Sequence, residues 1–308
     1  MDKKFLMGNN DWLIRSRTVR GLLTTISPRL RTNLMILAIK KAYDFYSDFF
    51  DISILNIDYA KLSREYEKKI SEAISLGLFE EGGVSEKDHL NLWCLSHTLL
   101  PEVYVESGVF IGSSLHAFID SPSTKKILGI DPNLNKLKLP KNIIQNVELI
   151  SDKDFSQIQI DICNMKALVY FDDHIDTAAR ILQAAEKNFR YVLFDDSTGL
   201  EGVCQRLYPA IPTIPMIMNA EILNPGDKLS WTFNRSSTKS LKDILKNIIN
   251  KKINIDLLVT PELIDKCFAA KKLIKKCEMI PDLGEFIPQP HPEKMLNTSK
   301  FLVELKKT

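Results

Sequence analysis

Four short apolar runs in this chain each end in an acidic residue, an arrangement that could bind a ligand. In a parallel sheet the carboxyl ends of the strands lie along one edge, where α/β proteins bind their ligands. The sequence therefore predicts a site at which several carboxylates meet. The runs are 103–105 before Glu106, 127–130 before Asp131, 168–171 before Asp172 and Asp173, and 191–194 before Asp195 and Asp196.

A glycine-containing loop follows the first of these runs. Gly108 and Gly112 stand where a strand would turn into a helix, so the backbone can come close to a ligand. The loop lacks the GxGxxG pattern of dinucleotide-binding proteins, which argues against NAD. Asp131, at the end of the next strand, can accept hydrogen bonds from both hydroxyls of a ribose, so the features together indicate an adenosine-containing ligand. The alternative is that the glycines only allow a tight turn and that Asp131 caps the loop.

The elements that position these residues divide the chain near residue 98. Residues 1–98 have helical periodicity, which predicts an N-terminal helical cap or oligomerisation region. Residues 99–308 alternate strand and helix patterns, which predicts an α/β fold with a Rossmann-like, doubly wound, mostly parallel sheet and a C-terminal elaboration on the substrate side. The predicted strands are 103–106, 127–131, 147–150, 167–172, 190–195 and 300–305; the predicted helices are 33–50, 62–78, 91–99, 113–119, 176–187, 241–249 and 261–277; a loop holds Trp231, Phe233 and Arg235.

The composition predicts a soluble cytoplasmic protein. The chain has 308 residues, of which 44% are hydrophobic and 26% charged, enough to bury a core. No apolar run approaches the roughly 20 residues of a membrane-spanning helix, and the N-terminus has no signal-peptide pattern. Five cysteines without a CxxC pair argue against a zinc site or a disulfide framework.

The first 41 residues form a basic segment. They hold nine Lys or Arg residues against Asp2 and Asp11, a net charge of +7, whereas the rest of the chain has a net charge of −5. The segment is expected to be a helical arm whose basic face is solvated or meets the acidic remainder of a neighbouring subunit, and a homo-oligomer is predicted. Peripheral contact with a membrane glycolipid is the alternative, and no nucleic-acid partner is expected.

Four segments together resemble the motifs of a known family. They are Val-Glu-Ser-Gly-Val-Phe-Ile-Gly-Ser-Ser at 105–114, Gly-Ile-Asp-Pro at 129–132, Phe-Asp-Asp-His at 171–174 and Leu-Phe-Asp-Asp at 193–196. Their order and spacing, over residues 100–200, resemble the class I S-adenosylmethionine-dependent methyltransferases. The likeness is greatest to the metal-dependent O-methyltransferases of the macrocin and cephalosporin-biosynthesis type, and looser to catechol O-methyltransferase.

The resemblance implies roles for the glycine loop and for the next two strand ends. S-adenosylmethionine would be the cofactor, with its ribose held by Asp131. Asp152 or Asp154, just after the third strand, would lie near its adenine or ribose. The residues that would line its methionine end are Glu106, Gly108, Gly112 and Ser113.

The resemblance also implies a divalent cation, held by an acid after the fourth strand and an acidic pair after the fifth. Those positions are Asp172 or Asp173, and Asp195 with Asp196. Crowded carboxylates repel each other unless a cation or protons neutralise them, and an all-oxygen set suits Mg²⁺. Such an ion lowers the pKa of a substrate hydroxyl and orients it toward the methyl donor. The alternative is that one acid of each pair caps the following helix, as Asp176 is expected to do.

His174, directly after the first acidic pair, is expected to serve as general base for the hydroxyl, with Asp173 assigned to the same catalytic step. The alternatives for His174 are a metal ligand, an orienting group and a structural histidine. We therefore expect a methyltransferase that acts on a hydroxyl of a sugar or glycosylated substrate. The rivals are a non-catalytic cofactor-binding or nucleotide-binding module that acts through a partner or glycolipid, and another small-molecule-modifying enzyme of the same fold.

Overall fold

The computed structural model describes residues 5–7, 12–14, 27–53, 56–79, 83–198, 201–202, 204–205, 208–209, 211–235, 251–287 and 299–307. Its helices are α1 (Pro28–Phe50), α2 (Tyr59–Ser75), α3 (Glu86–Leu99), α4 (Ser113–Phe118), α5 (Thr177–Glu186), α6 (Ile214–Met218) and α7 (Pro261–Leu273), with 3₁₀ turns at Leu134–Lys136, Phe155–Gln157 and Ala220–Ile222. Its strands are β1 (Phe5–Met7), β2 (Trp12–Ile14), β3 (Val103–Ser107), β4 (Lys126–Ile130), β5 (Val147–Ile150), β6 (Ala167–Phe171), β7 (Tyr191–Thr198), β8 (Glu201–Gly202), β9 (Cys204–Gln205), β10 (Tyr208–Pro209), β11 (Lys228–Arg235), β12 (Lys251–Leu258), β13 (Ile274–Met279) and β14 (Ser299–Leu305). No helix within these residues is long and apolar enough to cross a membrane.

Three long helices precede the sheet, and each begins at a capping residue. The side-chain oxygens of Ser27, Asp58 and Ser85 accept hydrogen bonds from backbone N–H groups in the first turns of α1, α2 and α3. α1 buries one stripe of its surface, including Tyr46 and Phe49. The N-terminal region is therefore helical as predicted, although β1 and β2 form a small antiparallel pair that the sequence pattern does not predict.

The central sheet confirms the predicted Rossmann-like fold. Within the described residues its strands lie in the order β13-β14-β7-β6-β3-β4-β5, with β8 paired to β7. Five neighbouring strands, in the order β7, β6, β3, β4 and β5, pair in parallel. β14 runs antiparallel to both β7 and β13. The strand order reverses between β3 and β6, so the expected binding crevice lies outside the carboxyl ends of these two strands.

Both faces of the sheet are covered, which explains why its strands read as continuous apolar runs. Successive strand residues point to opposite faces. Tyr104, Leu168 and Tyr170 belong to a core shared with α1, α2 and α3. Val105 and Val169 belong to the second core, under α5, α6 and α7. The helical cap is thus one layer of the fold, packed directly against the sheet that carries the acids.

A buried series of hydrogen bonds, here called the histidine chain, joins the cap to α4. The Tyr66 hydroxyl lies 3.0 Å from Nδ1 of His89, whose Nε2 lies 3.1 Å from Nδ1 of His116. Nε2 of His116 lies 3.0 Å from a carboxylate oxygen of Glu72. Burial lowers the pKa of both histidines, that of His116 to about 4. Both rings are therefore uncharged at neutral pH.

The helix predicted at 261–277 is too long. α7 ends at Leu273, and Ile274–Met279 form the edge strand β13 instead. These residues pair with β14, and that pairing outweighs the helical preference of Lys275 and Lys276.

The loop predicted around Trp231 is also wrong. Its backbone belongs to β11, which pairs with β12 over eight residues, from Lys228 opposite Leu258 to Arg235 opposite Lys251. The alternation of apolar and polar residues along both strands is typical of such a hairpin. The helix predicted at 241–249 lies outside the described residues.

Candidate active site

The loop after β3 packs against the end of β6, at the reversal of strand order. Gly108 has a φ of +99°, and a Cβ added there would lie 2.2 Å from the carbonyl oxygen of Asp172. Only glycine allows this approach. The Asp172 N–H also donates to the carbonyl of Ser107 over 2.8 Å. Gly108 therefore brings together the two strand ends that carry the predicted site.

Gly112 and Ser113 have contacts inside the protein. Gly112 has a φ of +90°, and a Cβ there would lie 2.7 Å from Cδ1 of Leu137 and 2.8 Å from Cδ1 of Leu139. The Ser113 hydroxyl donates to the carbonyl of Leu78 over 2.6 Å. Both residues fix the loop and the start of α4, and the cofactor contacts predicted for them stay predictions.

Glu106 is fully buried beneath the loop, and both its oxygens accept hydrogen bonds. The donors are the hydroxyls of Ser114, at 2.7 Å, and Tyr104, at 2.6 Å. Burial raises the pKa of Glu106 to about 8, against the opposing effect of these two bonds. The side chain thus carries little negative charge at neutral pH. It supports the loop, and its predicted contact with the cofactor stays a prediction.

Asp131 lies at the carboxyl end of β4 and is anchored to the same loop. Its Oδ2 accepts from the Phe110 N–H over 2.8 Å, and its Oδ1 accepts from the Asn133 N–H over 2.7 Å. A carboxylate offers about four acceptor positions, so capacity remains for ribose hydroxyls. Asp131 therefore does cap the loop, and the ribose role stays open to it. Asp152, after β5, is exposed.

Asp173 forms a buried ion pair with Arg180 of α5. Its Oδ2 lies 2.8 Å from Nη2 of Arg180 and accepts a hydrogen bond from the Ser107 hydroxyl over 2.6 Å. Burial raises the pKa of Asp173, and Arg180 opposes that rise. Arg180 also donates two hydrogen bonds to Asp154, at 2.9 and 2.6 Å, which hold the pKa of Asp154 well below its usual range.

Asp195 pairs with Lys300, which β14 brings to the same edge. The Lys300 ammonium lies 3.0 Å from Oδ1 of Asp195, and the Tyr170 hydroxyl donates to Oδ2 over 2.5 Å. The two ionic side chains are only 3% and 5% exposed. Burial alone would lower the pKa of Lys300, but Asp195 and Asp88 raise it above its usual value, so the ammonium stays charged. Asp172, Asp173 and Asp195, with Arg180 and Lys300, are called the acidic edge below.

His174 lies beside these acids, with a φ of +54° and a half-buried ring. Burial lowers the pKa of His174, while the charges of Asp195 and Asp173 act in the opposite direction. The imidazole is therefore neutral at neutral pH and near both carboxylates. Asp196 continues β7, but its side chain lies outside the described residues.

The described residues do not fit a Mg²⁺ site. That ion requires near-octahedral oxygen ligands at about 2.0–2.1 Å. Instead, Asp173 and Asp195 hold the side-chain cations of Arg180 and Lys300. In the part of the chain that the structure describes, no three His, Cys, Asp or Glu residues are arranged to hold a metal ion. These contacts give no support to the metal role predicted for Asp173 and Asp195, and the metal role predicted for Asp172 and Asp196 stays a prediction.

The sequence prediction missed the groups that hold the acids in place. Lys300 begins an apolar strand, and a lysine in a strand that reads as buried is a signal for an ion pair. Arg180 shares a helix face with the small buried residues Thr177 and Ala184, which is a similar signal. Tyr170 gave no such signal, because an aromatic residue is ordinary in a strand.

No protein-family model matches this chain, and no curated protein matches it. Solved structures of low identity resemble it. The Podospora anserina methyltransferase PaMTH1, with bound S-adenosylhomocysteine, is 11% identical, with a TM-score of 0.42 over 82% of this chain and 99% of that one. An S-adenosylmethionine-dependent methyltransferase from Clostridium acetobutylicum is 13% identical, with a TM-score of 0.35 over 80% of this chain and 98% of that one. CmcI with S-adenosylhomocysteine is 22% identical, with a TM-score of 0.27 over 35% of this chain and 57% of CmcI. At these identities and TM-scores, the likeness assigns no role to any residue of this chain.

Proposed function

We propose that this protein is an S-adenosylmethionine-dependent methyltransferase that transfers a methyl group to a hydroxyl oxygen. The observation that carries the proposal is the Asp131 carboxylate, anchored to the loop at the reversal of strand order with acceptor capacity remaining. A ribose presents two hydroxyl donors to a carboxylate at this place in a Rossmann-like sheet. The motif resemblance adds the identity of the cofactor.

The charge of the site favours this cofactor over one that carries phosphates. Four carboxylates stand against two cations, and the excess negative charge attracts a sulfonium and an ammonium group while it repels a pyrophosphate. The two glycines of the loop also make contacts within the protein rather than form an open phosphate cradle. The carboxylates are those of Asp131, Asp172, Asp173 and Asp195, and the cations are Arg180 and Lys300.

His174 is the described group best suited to take the proton of the acceptor hydroxyl. Because burial lowers its pKa, the imidazole is neutral at neutral pH and can act as a base. The imidazole would take the hydroxyl proton while the oxygen bonds to the methyl carbon. Bound S-adenosylmethionine would supply that methyl group and leave as an uncharged thioether. The carboxylates of Asp173 and Asp195 stabilise the resulting imidazolium.

The acceptor class that we propose is a sugar or a glycosylated compound. This part of the proposal rests on the motif resemblance to the macrocin-type enzymes. Mg²⁺ does not enter the mechanism, because Asp173 and Asp195 are paired with cations of the protein itself.

Titration calorimetry with S-adenosylmethionine, S-adenosylhomocysteine, ATP and NAD tests the cofactor. We expect both adenosyl thioether compounds to bind and the two phosphate compounds to bind far more weakly. Asp131→Asn should weaken S-adenosylmethionine about tenfold or more, because one charge-assisted acceptor is lost. Asp161→Asn is the matched control, since Asp161 makes a similar loop contact with the Cys163 N–H. Tighter binding of ATP or NAD than of S-adenosylmethionine would refute the proposal.

Methyl transfer to a panel of glycosides, followed as a mass increase of the acceptor, tests the role of His174. His174→Gln should lower kcat by about 100-fold or more without changing S-adenosylmethionine affinity. His97→Gln, on α3, should change neither quantity. An unchanged kcat in His174→Gln would remove the histidine from the mechanism.

The basic segment 1–41 is also proposed, as predicted, to mediate a homo-oligomer. Because α1 begins at Pro28, a truncation that keeps the long helices and the central sheet removes residues 1–26, with β1 and β2. We expect sedimentation to show a changed assembly that weakens with added salt, and S-adenosylmethionine affinity to be unchanged. An unchanged assembly with lost binding to anionic vesicles would favour the glycolipid alternative.

A further inference from the structure

Lys300 is a buried cation at the place where the family resemblance implies a metal. It stands near the start of β14, which runs antiparallel to β7, and so its side chain reaches the carboxyl end of the parallel strands. Its ammonium lies 3.0 Å from Oδ1 of Asp195 and 3.6 Å from Oδ2 of Asp88 on α3. A buried ammonium persists only when such partners compensate it.

Asp195 and Asp88, the two carboxylates in contact with Lys300, also accept hydrogen bonds from other protein groups. Asp195 receives the ammonium on one oxygen and the Tyr170 hydroxyl on the other. Oδ2 of Asp88 accepts from the Ser85 hydroxyl over 2.6 Å. On the neighbouring strand end, Arg180 takes the corresponding position at Asp173. Each of the two predicted acidic pairs thus includes one aspartate that is already neutralised by a side chain.

A divalent ion and this ammonium compete for the same carboxylate. A Mg²⁺ held by Asp195 would sit about 2 Å from the carboxylate oxygen, and its charge would repel the nearby ammonium strongly at that depth. Lys300 would then have to move away from Asp195. The ion pair seen here and a metal at Asp195 therefore exclude each other.

We propose that Lys300 supplies the positive charge that a divalent cation would supply at this edge, so that the protein binds its cofactor and transfers the methyl group without a divalent metal. The second half of this inference rests on the proposed function. The first half concerns only the chain itself: Lys300 is a positioning residue that fixes Asp195 and keeps metal ions out of the site.

Thermal unfolding of the parent, Lys300→Met and Lys300→Arg, each in EDTA and in millimolar MgCl₂ or MnCl₂, tests the first half without any cofactor. We expect metal to leave the melting temperature of the parent unchanged, and likewise that of Lys300→Arg. Lys300→Met leaves Asp195 and Asp88 without their cation, so we expect it to melt lower in EDTA and to regain several degrees when metal is added. A merely structural lysine would give the loss without the metal-dependent gain.

A metal-dependent rise in the melting temperature of the parent, or metal that remains bound to it after gel filtration, overturns the proposal. Lys300→Met that folds but ignores metal overturns it as well, because Lys300 then replaces nothing. If Lys300→Met does not fold, metal content and melting of the parent decide alone. S-adenosylmethionine binding to the parent is measured separately, in EDTA and in Mg²⁺. No binding in either condition refutes the proposed function. Binding that requires Mg²⁺ refutes only this inference.

Discussion

The acidic edge and the histidine chain are both buried polar clusters, yet they are stabilised in opposite ways. At the acidic edge, charged carboxylates pair with a guanidinium and an ammonium. In the histidine chain, burial lowers the pKa of His89 and His116, so neutral rings exchange hydrogen bonds, and the one carboxylate, Glu72, is 44% exposed. One cluster keeps its charges inside the protein, and the other avoids them.

This difference distinguishes a ligand-binding site from a structural contact between two layers of the fold. Paired charges are costly to bury and are rarely kept for stability alone. An edge that retains excess negative charge can attract a cationic ligand, whereas a neutral chain between the cap and α4 only holds two layers together. The comparison predicts that mutations at the edge act through charge and that mutations in the chain act through hydrogen bonds and pH.

The acidic edge forms only if the loop after β3 packs against the end of β6. This packing depends most on Gly108. In Gly108→Ala the new Cβ would overlap the Asp172 carbonyl, which is backbone and cannot move aside. We expect a loss of about 4 kcal/mol or more in the free energy of unfolding, or no folded protein. Gly226→Ala is the control, because Gly226 also has a positive φ but nothing within 4 Å, and it should lose only about 1 kcal/mol. Urea unfolding of both variants measures this, and equal losses would contradict the account.

Arg180→Met tests the ionic character of the edge. The substitution leaves Asp173 and Asp154 without their cation, so we expect about 3–5 kcal/mol less stability. Arg190→Met is the matched control: Arg190 is 46% exposed, and its partner Glu304 keeps Lys275. We expect it to lose about 1 kcal/mol or less. A small loss in Arg180→Met would show that the edge is not held by charge.

The histidine chain should respond to pH. Because the folded pKa of His116 is depressed from 6.5 to about 4, its contribution is fully present above pH 6.5 and is lost as pH falls toward 4. The loss amounts to up to about 3 kcal/mol. Urea unfolding of the parent and of His116→Gln across this range checks it. Stability should fall more steeply with acid in the parent, and parallel pH profiles would contradict the prediction.

Two tyrosines allow the smallest and most direct comparison. Tyr170→Phe removes a donor to the charged Asp195, and Tyr66→Phe removes the hydroxyl that lies 3.0 Å from Nδ1 of the neutral His89. Both side chains are buried, and Tyr66→Phe also removes a long hydrogen bond to the Glu86 carbonyl, at 3.3 Å. We expect losses of about 2 kcal/mol for Tyr170→Phe and about 1 kcal/mol for Tyr66→Phe. A larger loss of stability for Tyr66→Phe than for Tyr170→Phe in chemical denaturation would contradict this prediction.

Most of the fold could be predicted from the sequence because its determinants are local. The runs that became β3, β4, β6 and β7 are apolar and are followed by turn residues, and Asp176 caps α5 as expected. β13 could not be predicted in this way, because Ile274–Met279 become a strand only by pairing with β14, a separate segment later in the chain.

The acids of the candidate site could be predicted from the sequence, but the cations that pair with them could not. Acids at strand ends are visible as a pattern, so the convergence of Asp131, Asp173 and Asp195 on one edge follows from the topology. Lys300 lies more than a hundred residues from Asp195 in sequence, and no periodicity connects them. Repulsion among the acids could therefore be inferred, while the cation that relieves it could not be named.

A crystal structure of the protein grown with S-adenosylmethionine and millimolar Mg²⁺ tests the central claim most directly. The account predicts the cofactor at the carboxyl ends of β3 and β4, with its ribose hydroxyls bonded to Asp131, its sulfonium toward the acidic edge and Lys300 still paired with Asp195. A cofactor bound elsewhere, or a metal ion on Asp195 with Lys300 displaced, would contradict it.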